Sequence, residues 1–265
     1  MTHSPAQPPH PPLRAYYPSE SERSAWVRGI FDRTAADYDR IERILGFGTG
    51  AWYRRHALKE AGLRPGMRVV DVGTGTGLLA RAATQIVGDP GLVTGVDPSG
   101  GMIEHAKVPA GVRLLAGSAE AIPLGAGVAD FLTVGYALRH VSDLEAAFRE
   151  FRRVLKPGGR VCLLEITLPK RKLSRALLRA WLDGLVPRIA ALVARRRDTP
   201  LLMHYYWDTI AACVPPAAIL AALGGAGFTE AARRIDLGIF SVDRARNPQA
   251  SADQEASGPG RLASQ

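Results

Sequence analysis

Residues 71–77 of the chain read Asp71-Val72-Gly73-Thr74-Gly75-Thr76-Gly77. They end an apolar run, residues 67–72, and precede a helical pattern from Leu78 to Val87. Glycines after a strand let the backbone approach a ligand closely, and the N-terminus of the next helix presents unpaired N–H groups there. The segment therefore predicts a strand, a ligand-binding loop and a helix, as in nucleotide-binding α/β domains.

Strand-like and helical runs alternate through the rest of the chain. Further strands are predicted at residues 92–96, 112–116, 130–135 and 160–166, with helical patterns at 101–107 and 142–155. Helices are also predicted at 24–39, 40–61, 173–194 (broken at Pro187) and 216–223. This rhythm predicts a doubly wound, mostly parallel α/β sheet covered on both faces. The last two strand-like segments, 231–235 and 238–242, predict an antiparallel edge.

The two ends of the chain differ from its middle in composition. Residues 1–22 are rich in proline and polar side chains, and residues 246–265 have scarcely an apolar one. Such composition is typical of disorder, so the folded domain is expected over residues 23–245, with N-terminal helices and a basic helical insertion near residues 171–210. The two cysteines, Cys162 and Cys213, match no metal-type spacing, so free thiols and no metal site are expected.

The charge of the chain is concentrated in one window. The net charge is +9 over 265 residues, yet residues 152–197 hold thirteen Lys or Arg against two acids, a local charge of +11. No nucleic-acid-binding signature accompanies this stretch, so nucleic acid is not expected as a partner. No apolar run is long enough to span a bilayer, and no signal peptide is visible, so a soluble, cytoplasmic protein is expected.

The ligand class follows from two carboxylates. Asp97 ends the second predicted strand, twenty residues beyond Gly77, where a carboxylate accepts hydrogen bonds from ribose hydroxyls. Asp71 precedes a Gly-x-Gly-x-Gly loop, and its negative charge suits a cationic ligand and repels a pyrophosphate. These residues favour S-adenosylmethionine over a dinucleotide.

Four further segments match one family. The chain resembles the ubiquinone/menaquinone-biosynthesis C-methyltransferase family over roughly residues 27–243. The resemblance rests on residues 31–39 (Phe-Asp-Arg-Thr-Ala-Ala-Asp-Tyr-Asp), 44–55, 136–141 (Tyr-Ala-Leu-Arg-His-Val) and 153–159. The last of these is shared by many methyltransferases, whereas the first and third are narrower.

The resemblance implies a seven-stranded class I methyltransferase fold and a quinol-like aromatic ring as methyl acceptor. It also implies cofactor contacts within the glycine loop and beyond it. The expected cofactor residues are Asp71, Gly73, Gly75, Thr76, Gly77, Asp97, Met102, Ser118, Ala119 and Gly135. Met102 is expected against the adenine, although a core position in its helix explains it equally well.

The chain departs from the family pattern at several positions. Ser118 stands where the family usually has Asp or Asn, Gly135 where it commonly has Ser, and His140 where it has Asn. The C-terminal family motif is replaced by residues 205–210 and 214–216. These differences leave open whether the acceptor is a standard respiratory quinone.

Alkylation of a ring carbon requires electron density, which a phenol gains when it loses its proton. His140, with an ordinary pKa near 6.5, is the candidate base, and Arg139 is the candidate cation for the phenolate. Both residues also suit capping of the helix that follows. The candidate acceptor-binding residues are Tyr38, Tyr136, His204, Tyr205, Tyr206 and Asp208, and the last four also suit a packed aromatic surface.

The amphipathic stretch from Leu173 to Arg197 has three interpretations. It forms a lid on the acceptor pocket, rests on an anionic membrane, or covers the sheet. The leading function is methylation of a ring carbon in a quinol-like acceptor. O- or N-methylation of another hydrophobic molecule, and cofactor binding without turnover, remain open from the sequence alone, as does the oligomeric state.

Overall fold

A computed structural model describes residues 7–249 of the chain. The strands are β1 Val69–Val72, β2 Val93–Asp97, β3 Arg113–Ala116, β4 Ala129–Gly135, β5 Leu155–Ile166, β6 Thr229–Asp236 and β7 Phe240–Arg246. The helices are α1 Glu20–Leu45, α2 Gly50–Glu60, α3 Leu78–Val87, α4 Gly100–Glu104, α5 Leu144–Val154, α6 Lys172–Arg179, α7 Val186–Val193, α8 Thr199–Ala212 and α9 Pro216–Gly225. Short 3₁₀ turns lie at Pro90–Leu92 and Leu138–His140.

The seven strands form one sheet in the order β3-β2-β1-β4-β5-β7-β6. The first five strands are parallel, whereas β7 pairs antiparallel with both β5 and β6. The strand order reverses at β1 and β4, and the carboxyl ends of these two neighbours therefore flank the crevice in which ligands of such sheets bind. The prediction of a mostly parallel sheet with an antiparallel edge is confirmed.

Three apolar clusters hold the domain together. One packs α5 and α9 onto the sheet through residues such as Phe148, Phe151 and Leu223. A second packs α2 and α3 through residues such as Leu58 and Ala83. The third lies among α1, α7 and α8, beyond the sheet. Cys162 is buried in β5, Cys213 is half-buried after α8, and both thiols are free.

Helix α8 falls largely within the helical insertion expected near residues 171–210, but no periodic pattern marked it as a separate helix. Its buried residues, which include Tyr205, Tyr206 and Trp207, are not confined to one stripe. Because α1 and α7 pack against it, the helix is apolar on most of its surface and shows no amphipathic period. Residues 204–208 therefore lie within a helix and not in the segment before one.

The break in the helix of residues 173–194 also differs from the prediction. Pro187 lies in the first turn of α7 and does not interrupt it, since the missing N–H is tolerated there. The irregularity is instead a π-helical stretch, Ala180–Leu185, that connects α6 to α7. A π-helical stretch in this position accommodates the hydrogen bond that is lost because proline has no N–H to donate.

The N-terminal segment is more ordered than its composition suggests. Of the predicted disordered residues 1–22, residues 7–22 pack on the domain, while residues 1–6 lie outside the described part. The side chains of His10 and Tyr17 are buried, and the carbonyl of Pro9 accepts from the N–H of Val214. Expected disorder over residues 7–22 is therefore wrong, because aromatic burial and hydrogen bonds anchor this short segment.

The C-terminal boundary moves by a few residues. Strand β7 continues to Arg246, and the buried side chain of Asn247 donates to the carbonyl of Leu155 at 3.0 Å. The remainder of the expected disordered tail, residues 250–265, lies outside the described residues.

Within residues 7–249, no single helix is long and apolar enough to cross a bilayer. Helices α8 and α9 meet that test only when taken together, and they are bent by 77° relative to each other.

Helix α5 offers a test of the core. Phe148 is fully buried, so Phe148→Ala should lower the free energy of unfolding by about 3–5 kcal/mol through lost apolar contact and a cavity. Arg149→Ala on the same helix should change it by less than about 0.5 kcal/mol, because that side chain is 58% exposed. Urea unfolding of the two variants measures both values, and equal losses would contradict this packing.

Candidate active site

Two adjoining cavities open at the carboxyl ends of β1 and β4. The Asp97 cavity, about 480 Å³, is lined by residues that include Asp97, Met102, Ser118 and His140. The Trp52 cavity, about 340 Å³, is lined largely by apolar side chains that include Trp52. Six residues line both cavities: Tyr38, Gly73, Gly75, Gly135, Tyr136 and Tyr206. The two cavities therefore share a wall made of glycines and tyrosines.

Asp97 links the loops that follow β1 and β2. Its Oδ2 accepts from the N–H of Gly75 at 2.7 Å, and its Oδ1 accepts from the N–H of Ser99 at 2.8 Å. Each carboxylate oxygen keeps lone-pair capacity for a ligand hydroxyl. Burial raises the pKa of Asp97 to about 6, against the two N–H donors, which lower it. The position fits the predicted binding of a ribose.

Asp71 lies beneath the glycine loop and lines neither cavity. The hydroxyl of Thr74 donates to its Oδ2 at 2.7 Å, whereas its Oδ1 is buried and has no partner in hydrogen-bond geometry among the described residues. Burial raises the pKa of Asp71 to about 7. An unpaired buried carboxylate oxygen is costly, and a cation above the loop would offset that cost. This fits a ligand with an ammonium group.

The glycine loop has the backbone that its sequence predicts. Gly73, Gly75 and Gly77 all have left-handed φ angles, at 67°, 54° and 83°. A Cβ at Gly75 would meet no atom within 4 Å, so the loop leaves open space there. Gly77 begins α3 against Val108, and the hydroxyl of Thr76 donates to Asp39, so these two residues support the loop without lining a cavity.

The remaining predicted cofactor residues line the Asp97 cavity. They are Met102, Ser118, Ala119 and Gly135. Met102 is only 2% exposed, and the N–H of its backbone donates to the capping hydroxyl of Ser99. Met102 is therefore a core residue that also borders the cavity, and its contact with the adenine stays a prediction.

His140 also borders the Asp97 cavity. Its Nδ1 lies 3.3 Å from the hydroxyl of Tyr205, and its Nε2 is buried without a partner among the described residues. Burial, followed by the charges of Arg139 and Arg23, holds its pKa well below the ordinary value. The ring is therefore neutral at pH 7, and in the tautomer in which Nδ1 donates to Tyr205, Nε2 can accept a hydrogen bond or a proton.

Arg139 lies behind this wall and lines neither cavity. Its Nε donates to Oε2 of Glu165 at 2.9 Å, and Nη2 donates to the carbonyl of Tyr136 at 3.2 Å. The guanidinium stands 4.8 Å from the ring centroid of Tyr206. Arg139 is thus placed to hold two tyrosines in position. Direct contact between Arg139 and an acceptor oxygen was predicted, but this geometry does not offer it.

Three of the predicted acceptor residues meet at the shared wall. The hydroxyls of Tyr38 and Tyr206 are 3.3 Å apart. Tyr136 directly follows β4 with a φ of 59°, a backbone conformation that is rare for a bulky residue. Such strain persists where the surrounding structure enforces it, and it concentrates at functional sites.

The other three predicted acceptor residues line neither cavity. His204 is half-exposed, and its Nδ1 lies 2.8 Å from Oδ1 of Asp183. Asp208 accepts from the hydroxyl of Tyr16 at 2.6 Å, and Tyr205 packs edge-on against Trp26. Because residues 204–208 form a helix, only one face of that segment, with Tyr206, reaches the cavities.

The sequence interpretation missed several residues of the site. Glu165 is the partner of Arg139, and Glu42 and Arg54 line the Trp52 cavity. Glu165 ends an apolar strand, which is an unusual place for a carboxylate, so it carried a usable signal. Arg54 lies in one of the segments that carry the family resemblance, but nothing there marked it as a site residue. Glu42 lies on a helix among other charged residues and carried no signal. Among residues 7–249, no group of three or more His, Cys, Asp or Glu is arranged to hold a metal ion.

The family model of the ubiE/COQ5 methyltransferases matches residues 19–241. The ubiquinone/menaquinone biosynthesis C-methyltransferase UbiE of Shewanella woodyi is 34% identical over 192 residues, which are 69% of this chain and 76% of that relative.

Solved structures share the fold at lower identity. A methyltransferase dependent on S-adenosylmethionine (SAM) from Aquifex aeolicus has a TM-score of 0.56 and 20% identity, over 78% of this chain and 97% of its own. Phosphoethanolamine N-methyltransferase 2 of Haemonchus contortus, solved with phosphomonomethylethanolamine and S-adenosylhomocysteine, has a TM-score of 0.60 and 18% identity, over 84% of this chain and 60% of its own. The family match confirms the resemblance seen in the sequence: the chain belongs to the ubiE/COQ5 methyltransferase family and is a class I methyltransferase that uses S-adenosylmethionine.

Proposed function

We propose that this methyltransferase transfers a methyl group to a ring carbon of a quinol-like aromatic molecule. The observation that carries the proposal is the pair of cavities with a common wall. The Asp97 cavity offers a ribose-binding carboxylate beside the glycine loop, and the Trp52 cavity offers an aromatic, largely apolar lining. UbiE of Shewanella woodyi is named as a ubiquinone/menaquinone biosynthesis C-methyltransferase, which is consistent with such an acceptor.

The shared wall sets the geometry of transfer. When bound, S-adenosylmethionine supplies an electrophilic methyl group on a sulfonium. The protein then needs to align the acceptor carbon opposite the leaving sulfur, and such alignment provides much of the rate enhancement. Tyr38, Tyr136 and Tyr206 border both cavities, so they are placed to orient an aromatic ring at the junction. Glu165 and Arg139 hold Tyr136 and Tyr206 from behind.

His140 is the proposed proton acceptor near this junction. Its neutral ring and unpaired Nε2 permit it to take the acceptor's hydroxyl proton, directly or through a water molecule. Because its pKa is well below 6.5, its ionisation should not shape the rate between pH 6.5 and 8. An imidazole with the ordinary pKa near 6.5 would instead make the rate rise with pH through that value.

Peripheral contact with an anionic membrane is a second proposal. Leu173 and Leu177 on α6 are 72% and 64% exposed, and exposed Lys170, Arg171 and Lys172 lie beside them. Leu178 of the same helix lines the Trp52 cavity. At the mouth of that cavity, Phe47 and Leu237 are exposed as well. An apolar surface with a basic rim, next to the cavity entrance, suits delivery of a hydrophobic acceptor from a bilayer.

Product analysis tests the proposed reaction. The purified protein is supplied with 2-prenyl-1,4-naphthalenediol, kept reduced, and with S-adenosylmethionine that carries a deuterated methyl group. The product should be labelled on a ring carbon. Mass spectrometry with fragmentation locates the label. A label on oxygen would show O-methylation, and turnover only with amines would show N-methylation. Either result would contradict methylation of a ring carbon.

Cofactor binding should depend on pH through Asp71. In the free protein its pKa is about 7, so its carboxylate loses charge as the pH falls below 7. Affinity for S-adenosylmethionine should therefore rise from pH 5.5 to 7.5, with a smaller contribution from Asp97 near pH 6. At pH 7.5, Asp71→Asn should weaken binding by about 10-fold or more and flatten the rise above pH 6.5. Calorimetry across this range decides, and a pH-independent wild-type affinity is the contrary result.

His140→Asn tests proton abstraction. Asparagine keeps a hydrogen-bonding side chain but cannot act as a base, so the turnover rate should fall by a factor of about 10² to 10⁴, with cofactor affinity nearly unchanged. Single-turnover kinetics at pH 7.5 measures the rate, and calorimetry measures the affinity. Full activity in this variant would show that the ring only orients the acceptor or supports Tyr205.

Vesicle binding tests the membrane proposal. The wild type should co-sediment with phosphatidylglycerol vesicles at low salt, bind phosphatidylcholine vesicles less, and dissociate as salt increases. Arg171→Gln with Lys172→Gln should weaken binding by about 10-fold or more. Arg68→Gln with Arg113→Gln removes the same charge at the amino ends of β1 and β3, and should have little effect. Equal losses in both variants would argue for general charge attraction without a defined surface.

A further inference from the structure

The Trp52 cavity contains one ion pair in an otherwise uncharged lining. Among the described residues that line it, only Glu42 and Arg54 carry charge. Nη1 of Arg54 donates to Oε1 of Glu42, and the two side chains are 5% and 22% exposed, respectively. Removing charges from water is expensive, and a pair of this kind adds little to stability compared with apolar packing. Its presence in an apolar cavity therefore calls for a role in addition to joining α1 to α2.

The ion pair leaves part of its hydrogen-bonding capacity unused. Nε of Arg54 is buried and has no partner among the described residues. A guanidinium carries five N–H donors in a rigid plane, and an unpaired buried donor costs about 1–3 kcal/mol. A ligand with an oxygen atom in this cavity would recover hydrogen bonds that the free protein lacks.

Gly50 makes room for the pair. This residue begins α2, and its φ is not in the left-handed region, so its backbone does not require glycine. A Cβ at this position would fall well inside van der Waals contact with Oε1 of Glu42 and would crowd both terminal nitrogens of Arg54. The missing side chain is thus explained by the space that the ion pair occupies.

We propose that Glu42 and Arg54 bind the oxygen substituents of the aromatic acceptor and so determine which rings are methylated; this rests on the proposed function of the Trp52 cavity. Arg54 donates N–H to a ring oxygen, and the carboxylate of Glu42 accepts from a ring hydroxyl. The largely apolar lining binds the ring itself. A ring without oxygen substituents leaves the pair unsatisfied, and sites built to hydrogen-bond a hydroxyl reject analogues that lack it.

This assignment separates the pair from His140. His140 borders the Asp97 cavity, whereas Glu42 and Arg54 border the Trp52 cavity. The fixed charge of Arg54 also favours negative charge on the ring oxygen to which it donates, as ring alkylation requires. The pair therefore contributes recognition of the acceptor, while His140 is the proposed proton acceptor.

The test measures binding of two probes that differ only in oxygen. Equilibrium dialysis of the full chain, saturated with S-adenosylhomocysteine to prevent turnover, gives dissociation constants for 1,4-naphthalenediol, kept reduced, and for naphthalene. The ratio of the two constants in each variant is compared with that in the wild type, so differences in the probes' own partitioning cancel.

Arg54→Met should reduce the preference for the diol by about 10-fold or more, because charge-assisted hydrogen bonds are lost while the side-chain volume is largely kept. Arg55→Met removes an exposed charge from the next residue and should leave the preference within about 2-fold of wild type. Because Arg54→Met leaves Glu42 unpaired, the double variant Glu42→Gln with Arg54→Met keeps the test valid if the single variant is unstable. Gly50→Ala should also reduce the preference, since the added methyl displaces the pair.

Each outcome decides the proposal. Loss of the preference in the Arg54 and double variants, with S-adenosylhomocysteine affinity retained, supports it. An unchanged preference in either variant overturns it, and so does an equal loss in Arg55→Met. Wild-type protein that binds S-adenosylhomocysteine but neither aromatic probe would overturn the proposed aromatic acceptor, and this proposal with it. An unchanged preference in the variants would overturn this proposal alone, so the two failures are distinguishable.

Discussion

The site depends on one hydrogen bond between two loops, from the N–H of Gly75 to the carboxylate of Asp97. Gly75 makes this contact within a turn where its φ is 54°, a left-handed conformation that glycine adopts at little steric cost. The same carboxylate also accepts from Ser99, so the loops after β1 and β2 are fixed together. The rest of this edge of the sheet is arranged around that junction. Burial at the junction raises the pKa of Asp97, although both N–H donors lower it.

Helix α1 closes the site from the other side, and two of its residues tie it to the sheet edge. Asp32 accepts from the hydroxyl of Ser99 at 2.6 Å and from the N–H of Gly101, and Asp39 accepts from the hydroxyl of Thr76. Tyr38, between them in sequence, then stands in the wall common to both cavities. The helix therefore both covers the binding site and contributes residues to it. Its polar side chains make contacts that would be less rigid if a loop made them.

Buried charge behind the wall gives the tyrosines fixed positions. Glu165 neutralises Arg139, and Arg139 in turn contacts the carbonyl of Tyr136 and the ring of Tyr206. The N-terminal segment adds to this arrangement, since Arg23 donates to the carbonyl of Arg139 at 2.8 Å and lies 2.8 Å from Nε2 of His10. Burial and the charge of Arg23 lower the pKa of His10 to about 4, so that the ring is neutral in this contact. A segment that composition marks as disordered thus supports the residues next to the cavities.

The sequence by itself determined the sheet, its glycine loop and the position of Asp97 at the end of β2, because strand and helix periods and left-handed glycines are local properties of the chain. It also indicated the family, through short signatures that include Tyr38 and Tyr136. Only the tertiary structure fixed the bounds of α8 within the expected helical insertion, since enclosure on most sides removes the amphipathic period. It likewise placed Arg139 behind the wall and brought Glu42 to Arg54, because pairing between distant side chains leaves no periodic trace in a single sequence.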